Sequence, residues 1–164
     1  MLKLYKPNID DLWFRQQLLN DKETMSFNNA YGGTINFSKD KWNSWYTKWF
    51  DNNPNYFYRY LINGNNDFVG EVAYKFDETR NVYILNIIIH NKYRHNGYGK
   101  QGIRLLCKEA TNNGICEIYD DIAIDNTSIE LFKDLGFIEV YRTNEYIMVK
   151  KQLQKWDELF VHLI

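Results

Sequence analysis

The stretch Val82-Tyr83-Ile84-Leu85-Asn86-Ile87-Ile88-Ile89-His90-Asn91-Lys92-Tyr93-Arg94-His95-Asn96-Gly97-Tyr98-Gly99-Lys100 carries the reading of this fold. Its opening run, Val82 to Ile89, is almost continuously apolar, the pattern of a strand covered on both faces. Beyond it, residues 100–112 place Ile103, Leu106, Cys107 and Ala110 at helical spacing. Asn113-Gly114 ends that helix, Gly supplying the left-handed conformation of a C-terminal cap. Between strand and helix lies Arg94-His95-Asn96-Gly97-Tyr98-Gly99-Lys100. A glycine pair there lets successive backbone N–H groups turn inward at a helix N-terminus, where the dipole also favours an anion. The segment lacks the second half of a P-loop and the third glycine of a dinucleotide fingerprint. Alone, it reads equally well as a tight strand-to-helix turn.

Outward from this unit the period alternates between helix and strand. Residues 2–6 alternate apolar and polar as a short first strand. Asn8 can cap a helix to about Leu19, with Leu12, Trp13 and Gln16 at helical spacing. An Asn- and Gly-rich loop, 26–37, follows. Ser38 caps a second helix whose stripe of Trp42, Trp45, Tyr46, Trp49 and Phe50 marks a core-facing side, some of its rings free to edge a cleft. After Pro54 the period becomes two: 56–62 and 68–76 are strands joined by Asn63-Gly64-Asn65-Asn66, a hairpin turn by its chemistry. Residues 115–124 form another strand, about 127–135 a short helix ending at Gly136, and 137–141 with 146–150 a closing hairpin. The order is βααβββαβαββ, an α/β protein with one mixed sheet.

Composition narrows the function. Lys and Arg total 20 against 21 Asp and Glu, a net charge of −1. That balance speaks against nucleic acid or an anionic membrane surface as partner. The 164 residues, 45% of them hydrophobic, suffice for one well-buried domain. Cys107 and Cys116 have no CxxC or Cys/His spacing, and the three histidines are scattered, so neither a disulfide framework nor a metal site is expected. The N-terminus shows no apolar signal core, and Val82 to Ile89 is under half a membrane span. A soluble, cytoplasmic protein is expected.

With this context, Arg94-x-x-Gly97-x-Gly99 resembles the acyl-CoA pyrophosphate loop of the GCN5-related N-acetyltransferases, the GNAT superfamily. Downstream, Asp125-Asn126-Thr127-Ser128-Ile129 and Leu131-Phe132-Lys133-Asp134-Leu135-Gly136-Phe137 are similar to the family's Asn-x-x-x-Ile and Leu-Tyr-x-x-x-Gly-Phe region. The likeness is specific from about Val82 to Phe137 and rests on element order before that. It implies a single-domain, mostly antiparallel sheet in residues 1–151, in which the strands from Val82 and Ile115 run parallel and splay around acetyl-CoA. Ile87 and Ile89 would offer backbone groups to the pantetheine arm, as an added strand pairs with a sheet edge. Arg94, His95, Asn96, Gly97, Tyr98, Gly99 and Lys100 would hold the pyrophosphate. Asn126 and Phe132 would lie towards the reactive end.

Acyl transfer to an amine needs a base, since a free alkyl ammonium has a pKa of about 10.4. In many family members the Tyr of Leu-Tyr-x-x-x-Gly-Phe is the acid for the departing thiolate. Phe132 stands there, so either another tyrosine substitutes or the thiolate leaves unprotonated. For the base, counting back from Asn126 selects Asp121, whereas counting from Gly136-Phe137 selects Asp120. The two point to opposite strand faces, and one must intrude on the apolar face of Ile118 and Ile122. Glu71 is a further candidate, and Tyr83 occupies a position where some relatives carry a catalytic glutamate. These acids around a Tyr-rich cleft favour a small cationic amine as acceptor. The alternatives are a peptide or protein N-terminus, or a non-catalytic acyl-CoA-binding domain. The tail, 152–164, carries Leu153, Trp156, Phe160 and Leu163 at helical spacing. It reads as a helix docked on its own domain or pairing in a homodimer.

Overall fold

The computed structural model describes residues 1–51 and 53–153. Its strands are β1 (Lys3–Tyr5), β2 (Tyr56–Ile62), β3 (Phe68–Asp77), β4 (Val82–Ile89), β5 (Glu117–Ala123), β6 (Ile138–Arg142) and β7 (Tyr146–Gln152). The helices are α1 (Trp13–Asn20), α2 (Trp42–Phe50), α3 (Tyr98–Asn112) and α4 (Ile129–Asp134). This is the order expected from the sequence.

The seven strands lie in the order β1-β2-β3-β4-β5-β7-β6. Every neighbouring pair is antiparallel except β4 and β5, which run parallel and are joined across one face by α3. Those two strands bridge only at Ile84 and Tyr119. From there to their C-terminal ends they diverge, and the sheet opens into a V.

Apolar cores fill both faces. Leu106 of α3 and Phe132 of α4 pack in one cluster with Leu61, Val72, Tyr74, Leu85 and Ile118 of the sheet. Gly102 lets α3 settle close, since a Cβ there would lie 2.8 Å from Leu61 Cδ1 and 3.0 Å from Ile87 Cδ1. On the other face Leu12, Phe14, Leu18, Tyr58, Tyr60, Ala73 and Ile88 form the core under α1 and α2. The α2 stripe of Trp42, Trp45, Tyr46, Trp49 and Phe50 packs on this core, yet every ring in it stays half-buried. Trp49 reaches the cleft.

The first helix starts later than its Asn8 signal suggests. Residues Ile9–Asp11 form a 3-10 turn, and the α-helix begins at Trp13. The cause is Tyr60. Its hydroxyl donates to the Asp11 carbonyl (2.8 Å) and accepts the Arg15 N–H (3.1 Å), so it sits inside the hydrogen bond that those two groups would otherwise share. At the far end, Leu153 is buried and its N–H donates to the Cys116 carbonyl at 2.7 Å. The expected tail helix lies, from residue 154 onward, outside the described residues. Among those described, no helix is long and apolar enough to cross a membrane.

Candidate active site

The V between β4 and β5 opens into a cavity of about 1380 Å³, which takes residues from both sheet faces because it passes between the strands. It is larger than a typical single-ligand pocket of roughly 300–1,000 Å³. One wall is backbone. His90 N–H donates to the Val69 carbonyl across β3, so the alternate residues Ile87 and Ile89 turn their peptide groups towards β5. With β5 already diverged, that edge faces the cavity.

At the same end of the V, α3 begins. Gly97 is its N-cap in the left-handed conformation at φ +75°, and His95 just before it is also left-handed at φ +66°. The first-turn amides of α3, which have no acceptor within the helix, face the cavity beside Tyr98, Gly99 and Lys100. Arg94, His95 and Gly97 also line it. The Arg94 guanidinium, however, donates to the carbonyls of Thr24 (2.7 Å) and Glu23 (3.3 Å). Asn91 N–H adds a bond to Thr24 Oγ1 at 3.0 Å. Arg94 therefore anchors the loop to the segment preceding residues 26–31, which line the cavity from its other side. Asn96 stabilises the turn itself by donating to the carbonyls of Tyr93 and Arg94.

The three candidate carboxylates sit in three environments. Glu71 is fully buried, and Arg15 Nη1 reaches both its oxygens, at 2.5 and 2.7 Å, while the Tyr58 hydroxyl donates to it as well. Arg15 in turn lies over Trp45, Phe37 and Tyr58, 4.5, 5.0 and 5.4 Å from the ring centroids. Desolvation alone would lower the Arg15 pKa, but Glu71 and Tyr58 outweigh it and keep the guanidinium charged. Burial, reinforced by Glu71, pushes the Tyr58 hydroxyl well above its ordinary range. These three contacts occupy most of the roughly four acceptor sites of the Glu71 carboxylate.

Asp121 projects to the same face as Glu71, and Arg80 Nη1 meets it at 2.9 Å; Arg80 Nε simultaneously holds Asp77 at 2.8 Å. Asp120 points the opposite way, towards Ile118 and Ile122, and lines the cavity half-buried. Among the described residues no ion-pair partner reaches it. Enclosure by protein pushes its pKa well above the usual carboxylate range, with the charge of Asp121 acting in the same direction and Arg80 pulling back.

The remaining expected residues fall as follows. Asn126 lines the cavity and accepts the Ser128 N–H at 2.9 Å, a turn that launches α4. Phe132 lines it too, buried and edge-on to Phe137 at 5.1 Å. Tyr83 stands outside the lining, on the α3 face against Tyr74 and Phe76, with its hydroxyl donating to Asn55 at 3.2 Å. Of the cavity's tyrosines, Tyr58 and Tyr74 have committed hydroxyls, Tyr74 accepting from Asn113 at 2.8 Å.

A parallel pair parting over a helix N-terminus is the frame shared by this chain and a known family. The profile of the Acetyltransferase (GNAT) family matches residues 17–137. The chain belongs to the GNAT family. Solved GNAT structures agree in fold over nearly the whole length. A spermidine N-acetyltransferase from Vibrio cholerae, in complex with CoA and spermine, superposes with a TM-score of 0.79. The two are 18% identical, over 94% of this chain and 96% of that one. An N-acetyltransferase from Staphylococcus aureus Mu50 gives 0.76 at 15% identity, over 94% and 99%. Curated protein sequences yield no match. Identities this low carry the fold and leave the acceptor open.

Arg15, Lys75, Arg80 and Asn86 also line the cavity of this GNAT enzyme, and reading the sequence passed over all four. Strand parity marks Lys75 as facing the same way as Glu71, so it was accessible in principle. Arg15 and Arg80 reach the site from a helix and a turn, where no periodicity points to a carboxylate many residues away.

Proposed function

We propose that this chain transfers the acetyl group of acetyl-CoA to the primary amine of a small molecule, with Asp120 as general base. The observation that carries this reading is the V itself. An unpaired strand edge at Ile87 and Ile89 leads to left-handed Gly97 and the open α3 amides. A pantetheine arm can pair with the first, and a pyrophosphate can accept from the second. The residues fit that cosubstrate, which supplies the activated acetyl carbonyl. Lys100 adds positive charge at the phosphate end, while Arg94 acts indirectly by fixing the loop.

Asp120 can do what Glu71 and Asp121 cannot, because it alone of the three is not held by an arginine. Its raised pKa suits a group that takes a proton from an ammonium near neutral pH. The neutral amine then forms the new N–C bond as the C–S bond breaks, and its nitrogen sheds the second proton. The departing thiolate takes up that proton, directly or through water, since Phe132 has none to give. Phe132 also supports a second reading, a non-catalytic acyl-CoA-binding domain. Consumption of acetyl-CoA with a panel of primary amines separates the two. Turnover that vanishes in Asp120→Asn supports the enzyme, and acetyl-CoA binding with no turnover on any amine supports the binding domain.

A further inference from the structure

The turn between β3 and β4 carries an arginine that reaches beyond its own hairpin. Asp77 Oδ1 accepts the backbone N–H groups of Thr79 (2.9 Å) and Arg80 (3.2 Å), which closes the turn. Its Oδ2 takes Arg80 Nε at 2.8 Å. Fixed in this way at backbone and side chain, Arg80 carries Nη1 across to Asp121 on β5, at 2.9 Å. Asp121 stands two residues beyond Tyr119, where β4 and β5 bridge. The arginine therefore ties β5 back to the β3–β4 hairpin just where the strand pair begins to part. Asp120 sits between the bridge and this tie, with its side chain on the opposite face.

We propose that Arg80 is a positioning residue for acyl transfer: by holding Asp121 it fixes the segment of β5 that presents Asp120 and offsets the charge beside it. This inference rests on Asp120 as general base and names the group that governs its ionisation. Carboxylates on adjacent residues repel when both are ionised, and a cation held by one relieves the other. Burial raises the Asp120 pKa most and the Asp121 charge raises it further, while the Asp121 backbone N–H and Arg80 pull it down. From the elements around it, β4 and α4 bring no titratable side chain to the cavity, β7 brings Tyr146, and α3 brings Tyr98 and Lys100. Lys75 and Asp125 also line it, without an ion pair among the described residues. The charges that act on Asp120 are nevertheless those of Asp121 and Arg80.

The test titrates the Asp120 carboxyl directly, by carboxyl-carbon NMR of the full chain labelled at aspartate, its signal assigned by its loss in Asp120→Asn. Arg80→Met should raise the midpoint by roughly one pH unit, the lower end of what a neighbouring charge does. Arg80→Lys keeps the charge and should leave the midpoint near the wild-type value, whereas Asp121→Asn should lower it. A midpoint unmoved in Arg80→Met overturns the inference, as does one that Asp121→Asn moves in the same direction. Should Arg80→Met fail to fold, the change is made on top of Asp121→Asn, where no acid is left unpaired on β5. There it should again raise the midpoint, and an unchanged midpoint overturns the inference. The rising limb of kcat, followed with the amine that consumes acetyl-CoA fastest, should move with the carboxyl midpoint in each variant. A limb that stays in place while the carboxyl titration shifts removes Asp120 as the base and leaves its coupling to Arg80 standing.

Discussion

The two halves of the cleft are built from different materials. The cofactor half is made by backbone: the bare edge of β4, the open amides of α3 and a left-handed glycine. The other half is made by side chains that meet from α1, α2, β3, β5 and the β3–β4 turn, where Arg15 and Arg80 hold Glu71, Asp77 and Asp121 while Asp120 has no ion pair among the described residues. Backbone recognition depends on conformation and tolerates most side chains, so it can persist while sequence drifts. Side-chain recognition is rewritten by single substitutions. The chain keeps a GNAT fold at 18% identity to a spermidine N-acetyltransferase.

Asp120 lies where the halves meet, and changing it should give the largest effect. Asp120→Asn is expected to lower kcat by about 10²–10⁴-fold, the usual cost of losing a general base. Wild-type kcat should rise with pH as Asp120 ionises, along a limb displaced above the ordinary carboxylate range, and the variant should lack that limb. Stability should move the opposite way. A carboxyl whose folded pKa is raised contributes fully below its unfolded pKa and loses that contribution as pH rises through the folded value. The gap in Tm between Asp120→Asn and wild type should therefore widen in favour of the variant as pH increases. A Tm gap independent of pH would contradict this placement of Asp120.

Glu71 sharpens the contrast, because it resembles Asp120 in sequence and differs in what holds it. Glu71→Gln strips the buried Arg15 of its partner, and such losses cost about 3–5 kcal/mol. Chemical denaturation should show that loss, while kcat of the folded fraction changes little. A fall in kcat as deep as that of Asp120→Asn would move the base to Glu71. On the cofactor half, Gly102→Leu drives a side chain into Leu61 and Ile87. Overpacking of this kind costs about 1–3 kcal/mol, and here it should also weaken acetyl-CoA by displacing the Ile87 edge. Asp121→Asn should do least. Its pair with Arg80 is partly exposed, and such pairs contribute about 0–1 kcal/mol.

How much of this could be read from sequence follows the same division. The apolar run Val82 to Ile89, the glycines at 97 and 99, and the following helical stripe are contiguous signals, and they marked β4, the turn that follows it and α3. The helix start at Asn8 misled because a hydroxyl from β2 enters the helix ladder, a contact no local pattern contains. The α2 stripe shows its helical face but not its burial, which depends on where the cleft opens. For the carboxylates, parity separated Asp120 from Asp121 but could not say which was neutralised. That depended on Arg80 and Arg15, brought in by tertiary packing alone.

The central claim is that the V and the α3 loop bind acetyl-CoA through backbone. It is tested most directly by calorimetric titration of acetyl-CoA into the wild-type protein and into Gly97→Val. Valine is strained at φ +75°, so the loop must leave the conformation that aims its amides. The account predicts saturable one-to-one binding by the wild type and at least about tenfold weaker binding by the variant, with melting lowered by only a few degrees. Wild-type protein that fails to bind acetyl-CoA, or a variant that binds it equally well, would contradict it.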